Sequence, residues 1–122
     1  MPDSPAKFTP GNNLAIKTPP DQWEPTVAFY EKTLGFERVP KSCDDTVAFK
    51  FGDKTLWVDC SPNMSQAEIW LEIVTNDTKA AAELLKSGGA VRCDEIEPLP
   101  EDFDALWIKN PAGIVHLISG EE

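Results

Sequence analysis

Glu68, Trp70 and Glu72 recur at every second position of Glu68-Ile69-Trp70-Leu71-Glu72-Ile73. Strict alternation is the mark of a strand with one buried face, so two carboxylates and an indole share one side and Ile69, Leu71 and Ile73 the other. An aromatic wall flanked by carboxylates suits a planar or cationic organic molecule, which can stack on the ring and be drawn by the charge. The plainer reading has Trp70 packing in a core or a dimer contact and Glu72 as a solvated strand position. Trp57 and Trp107, on other predicted strands, read as packing residues, and Trp23 as the staple of a first helix. Cys60 has no His or basic neighbour in sequence to activate it, so it reads as a small buried side chain rather than a nucleophile. Asp94-Glu95-Ile96-Glu97 and Glu101-Asp102 read as exposed loop charge. The sequence carries no serine triad, phosphate loop or dinucleotide fingerprint.

The frame that positions these residues is a duplication. Ala28-Phe29-Tyr30-Glu31-Lys32-Thr33-Leu34-Gly35-Phe36 returns in weaker form as Ala82-Glu83-Leu84-Leu85-Lys86-Ser87-Gly88-Gly89-Ala90, a repeat of about 55 residues, which implies two half-domains rather than a solenoid. In the first copy Leu14 to Thr18 reads as a strand ended by Pro19-Pro20. Asp21 offers a helix cap, Pro25 suits the first turn, and Val27, Tyr30 and Leu34 make one helical face. Gly35 sits at the expected left-handed C-cap, with Phe36 folding back on the last turn. Strands are expected near 37–39, 46–51 and 55–59, the last two joined by the Gly52-Asp53-Lys54 turn. The second copy has the Glu68–Ile73 strand and a helix capped by Asn76 or Asp77. That helix carries an apolar face of Ala81, Leu84 and Leu85 and stops at Gly88-Gly89. Strands follow near 91–95, 105–109 and 114–119, the last pair joined by Asn110-Pro111-Ala112-Gly113. The expectation is an α+β fold of two βαβββ modules, residues 13–60 and 67–119, with 1–12 as a loose arm and Ser61 to Gln66 as the linker.

Composition limits the partners. The 122 residues are 41% hydrophobic and 26% charged, an ordinary globular balance, and the net charge is −10. Nucleic acid and anionic membranes demand clustered Lys and Arg, so neither is an expected partner; a cationic ligand would be electrostatically welcome. Cys43, Cys60 and Cys93 are odd in number and form no Cys-x-x-Cys pair, as expected of reduced thiols in a cytoplasmic protein. Three prolines and no apolar run between Met1 and Asn12 read as neither signal peptide nor anchor.

The doubled βαβββ pattern, with Phe29-Tyr30 and Leu34-Gly35-Phe36 in the first module and Asn110-Pro111-Ala112-Gly113 in the second, resembles the vicinal oxygen chelate superfamily of glyoxalases, bleomycin-resistance proteins and extradiol dioxygenases. The resemblance spans about Asn13 to Ser119. It implies cupped mixed sheets closing around one pocket, and homodimers. It also implies metal ligands, and their positions can be located here. The His expected ahead of each first strand's apolar alternation falls on Asn13 and on Glu68, 55 residues apart. A Glu expected after the final turn falls on Leu117, one residue beyond His116. An ungapped turn puts His116 under a helix with Val115 and Leu117 in the pocket, whereas a turn one residue shorter makes His116 a ligand. The cost of burying a titratable ring beneath an apolar helix favours the shorter turn. Asp59 is the candidate on the first module's last strand. A divalent ion (Fe, Mn, Ni or Zn) would thus rely on Glu68, His116 and Asp59, an incomplete set.

Two functions follow from the resemblance. The first is a metal-independent, bleomycin-resistance-like protein that sequesters a small cationic or aromatic molecule in an acidic aromatic pocket. Its ligand-binding residues would be Asn13, Glu68, Trp70, Glu72 and His116: charge from Glu68 and Glu72, stacking from Trp70, polar orientation from Asn13 and His116. The alternative is a metal-dependent lyase, isomerase or dioxygenase, with Glu68 as the catalytic carboxylate that moves the proton. A third possibility is an accessory subunit with an empty pocket.

Overall fold

The computed structural model describes residues 6–40 and 44–121, so Cys43 lies outside the described residues. These form two compact units, one of residues 12–70 and the other of residues 6–11 with 71–121. The strand β1 (Phe8–Thr18) begins six residues before the expected start at Leu14, and Ala6 ahead of it is buried. Residues 8–12, read from sequence as part of a loose arm, are therefore strand.

In the unit of residues 12–70, α1 (Pro20–Ala28) follows β1 and runs directly into a π-helical turn, Phe29–Thr33. Pro20 opens the helix, where a missing N–H costs nothing, so Asp21 lies inside the first turn instead of capping it. Pro25 falls within the helix, not in its first turn, and cannot donate to the preceding turn. The π turn holds an extra residue. The Val27/Tyr30/Leu34 stripe therefore slips: Val27 is buried while Leu34 is 47% exposed. Phe36 takes its place against Tyr30, ring centres 6.1 Å apart, after Gly35 reverses the chain at φ +73°. The strand expected at 37–39 is a single bridge, Arg38 to Phe49.

The strands β2 (Thr46–Phe51) and β3 (Lys54–Cys60) form the predicted hairpin, and β3 lies parallel to β1. One side of this sheet, Leu14, Ile16, Val47, Phe49, Leu56 and Val58, packs on Val27, Tyr30 and Trp23. Trp23 is the expected staple; its indole N–H donates to the Val58 carbonyl at 2.9 Å.

The other unit is the fuller copy. From β4 (Glu68–Thr75) the chain enters α2 (Thr78–Ser87), capped by Asp77, whose carboxylate accepts the Ala80 N–H at 3.0 Å. Next come β5 (Val91–Arg92), a 3₁₀ turn at Asp94–Ile96, β6 (Ala105–Lys109) and β7 (Val115–Gly120). β4 is parallel to β7, and β7, β6 and β5 are antiparallel in turn. Ala81, Leu106, Ile108 and Ile118 form the core with Ile73 and Leu85. The strand expected at 91–95 is cut to two residues, because Asp94 turns back to accept the Trp107 backbone N–H at 3.0 Å and to pair with Arg92 at 2.7 Å. Asp94 thus holds the β5–β6 connection and is more than loop charge. Trp107 is buried as expected, its indole N–H donating to the Glu97 carbonyl at 2.9 Å. Among the described residues no helix is long and apolar enough to cross a membrane.

Candidate ligand site on the sheet face of residues 12–70

Strand alternation turns Asn13, Lys17, Trp57, Asp59 and Thr46 away from α1, and the register sets Lys17 beside Asp59 and Thr46 beside Asp59. The centre of this face is Lys17. Its side chain is 7% exposed, its Nζ lies 2.8 Å from Asp59 Oδ2, and it sits 4.4 Å from the centre of the Trp70 ring. A lysine this deep is tolerated only when paired, and here a carboxylate and an aromatic face both hold it. The Thr46 hydroxyl donates to the other Asp59 oxygen. The Thr18 hydroxyl, on the opposite side of β1, donates to the Asp59 backbone carbonyl at 2.8 Å.

Two further bonds orient the flanks. The Trp70 indole N–H donates to Glu68 Oε1 at 2.9 Å, and the Trp57 indole N–H donates to Asn13 Oδ1 at 2.7 Å. Glu68 remains exposed and Trp57 half-buried.

The predicted site residues therefore divide. Asn13, Glu68, Trp70 and Asp59 all belong to this face. Trp70 is not the open stacking wall expected: it is 6% exposed and Lys17 already occupies its ring. Trp57, read as packing, is the more accessible indole. Glu72 lies in the other unit, its side chain so close to the Cα of Gly11 that a Cβ there would collide with it.

His116 follows the ungapped register, contrary to the shorter turn that burial cost favoured. It pairs with Leu71 and Ile108, and it lines an apolar groove with Ile73, Leu84 and Ile118. The cost argument fails because the ring is only half-buried at the open margin of α2, with Nδ1 bonded to the Ile114 carbonyl at 3.0 Å.

Lys17 is the residue the sequence reading missed. The signal was available: it shares the parity of Asn13, and parallel pairing of the first and last strands of a module brings it to Asp59.

The donor set does not fit a divalent metal. Asp59 is engaged by Lys17 and Thr46, Glu68 by Trp70, and His116 faces α2. Among the described residues no three His, Cys, Asp or Glu side chains are grouped to hold an ion. Outside this face, the Arg38 guanidinium bonded to Glu31 holds that carboxyl below the usual carboxylate range.

No family profile matches the sequence, and no curated protein does. Solved structures do match in shape. Methylmalonyl-CoA epimerase from Mycobacterium tuberculosis is 12% identical, with a TM-score of 0.65 over 100% of this chain and 93% of that one. A glyoxalase/bleomycin resistance protein/dioxygenase superfamily member from Vibrio splendidus is 11% identical, with a TM-score of 0.59 over 88% and 97%. The Mn(II)-bound glyoxalase from Novosphingobium aromaticivorans is 13% identical, with a TM-score of 0.62 over 94% of this chain but only 40% of that one. Likeness at such identities speaks to the fold alone. With its two βαβββ modules and mixed sheets, this chain has the glyoxalase/bleomycin-resistance/dioxygenase fold, that of the vicinal oxygen chelate superfamily.

Proposed function

We infer that this protein binds a small planar organic molecule without a metal ion, in the manner of a resistance or sequestration protein. The observation that carries this reading is the Lys17–Asp59 pair: the carboxylate best placed for a cation already has one in its own chain. The ligand stacks on Trp57, whose ring Asn13 orients, and a positive group on it meets the exposed carboxylate of Glu68, which Trp70 orients. The net charge of −10 favours a cationic ligand over an anionic one.

The test uses acridine orange, a planar organic cation. Saturable binding of one dye per chain is expected, weakened about tenfold by Glu68→Gln, as the loss of one charged contact implies. Trp57→Ala should weaken it by at least as much. Affinity unchanged in both variants, or no saturable binding, overturns the assignment.

A metal-dependent lyase, isomerase or dioxygenase is the second reading, favoured by likeness to the Mn(II)-bound glyoxalase. It requires Asp59 to give up Lys17. Elemental analysis of untagged protein purified without chelators separates the two: near-stoichiometric Fe, Mn, Ni or Zn would establish the second.

A further inference from the structure

His116 stands apart from the face just described. Its register places it on the α2 side of β7, on the same face as Ile118 and beside Ile108 of β6. There it lines a groove of about 480 Å³ whose other walls are chiefly apolar, among them Phe8, Ile73, Leu84, Ile108 and Pro111. That volume is in the range of small-molecule sites, which are mostly apolar with a few placed polar groups. Leu84 on α2 is 44% exposed and Phe8 on β1 is 37% exposed, so apolar surface stays open to water along this groove. The other polar side chain in the lining, Asn110, has its carbonyl oxygen taken by the Ala112 and Ile114 N–H groups, each at 2.9 Å.

The imidazole is chemically defined. Nδ1 lies 3.0 Å from the Ile114 carbonyl, which can only accept, so in the neutral ring Nδ1 carries the proton. Nε2 is then a lone-pair acceptor. An apolar groove with one acceptor complements a molecule that is mostly hydrocarbon and carries one hydroxyl donor.

We propose that this groove is a second binding site, specific for small hydroxylated apolar molecules of the alkylphenol kind, with His116 Nε2 accepting the hydroxyl proton in a hydrogen bond. The site shares no residue with the Lys17 face, so it stands or falls independently of the function proposed above.

The test titrates the full chain with para-butylphenol and, separately, butylbenzene, followed by NMR. The chain has one histidine, so its imidazole signals are unmistakable. The phenol should shift them saturably together with Leu84 and Ile118 methyl signals. Butylbenzene should bind the same groove about tenfold more weakly, the cost of one buried hydrogen bond. His116→Phe, which keeps a ring in place, should bind both alike, and Leu84→Glu, at a half-exposed position, should bind neither. Trp57→Ala should leave the phenol affinity unchanged. The proposal is overturned if the groove signals do not move, or if the wild type binds both probes equally. Groove signals that move with protein concentration alone overturn it too, because a second copy of this chain would then be the occupant.

Discussion

The two modules place opposite charges at the same point of their first strands. An offset of 55 residues carries Asn13 onto Glu68 and Lys17 onto Glu72. In the first module Lys17 lies beside Asp59 of the parallel strand, and the pair is closed at 2.8 Å. In the second, Glu72 lies beside Leu117, so the carboxylate has an apolar neighbour in the corresponding place. One backbone plan thus carries an internally neutralised cation in one copy and, in the other, a carboxylate packed on a glycine. The α2 module also keeps an open apolar groove ending at a histidine. Duplication fixes backbone and register; it leaves the chemistry of each face to individual residues.

The strongest way to break this comparison is to open the ion pair. Asp59→Ala takes away the carboxylate 2.8 Å from the buried Lys17 ammonium, and removing one partner of a buried pair costs about 3–5 kcal/mol. We expect the low end, since the Asp59 side chain is itself 18% exposed. Urea denaturation measures it, and a loss below about 1 kcal/mol would put the pair among weak surface bridges. Replacing both partners, Lys17→Met with Asp59→Leu, should recover most of the loss, because a matched apolar pair is often neutral or better.

Gly11 sharpens the other half of the comparison. A Cβ at residue 11 would strike the Cβ and Cγ of Glu72 as well as its carboxylate, so the clash cannot be relieved by a swing of the chain end. Gly11→Ala should destabilise by about 1–3 kcal/mol, the usual cost of overpacking. Adding Glu72→Ala removes the contacts at Cγ and the carboxylate but keeps the one at Cβ, so it should relieve the clash only in part, and thermal unfolding of both single variants and the double variant reads the coupling.

Much of the fold was legible in the sequence because its signals are local. Glycines at helix ends, the Gly52 turn, the strand from Glu68 and the cap, read as Asn76 or Asp77 and found at Asp77, each fix a short stretch of backbone. The alternation in that strand held less well, since Ile69 on its expected buried face is 55% exposed and Trp70 on the other face is buried. The first helix was less legible, since Pro25 within it and the π turn after it displace the stripe that carries Leu34. The site was least legible. Lys17 reaches Asp59 only through parallel pairing of β1 with β3, which brings together residues 42 apart in sequence. His116 was misplaced because the cost of a buried ring was applied to a ring at an open margin.

Asp77→Ala asks whether α2 depends on its cap more than α1, which has no side-chain cap at all. Losing the bond to the Ala80 N–H should cost about 1 kcal/mol, and Asp77→Asn or Ser should keep most of it. A cost near zero would mean that packing of Ala81 alone holds the helix start.

The smallest expected effect is on pH dependence, and it too belongs to the second module. Cys93 is buried, and desolvation raises its thiol pKa above the ordinary value, outweighing the nearby Lys109 charge that lowers it. The folded chain therefore holds this proton at a pH where the unfolded chain has begun to release it. The contribution is complete below the ordinary thiol pKa and is lost as pH rises through the raised one. Stability should thus fall on going alkaline, and the fall should be shallower in Cys93→Ala once the constant cost of the lost side chain is subtracted. Parallel denaturation curves from neutral to alkaline pH for both proteins give the difference directly. Identical slopes would mean that Cys93 ionises no less readily in the folded chain than in the unfolded one, and that water reaches the β5–β6 connection held by Asp94.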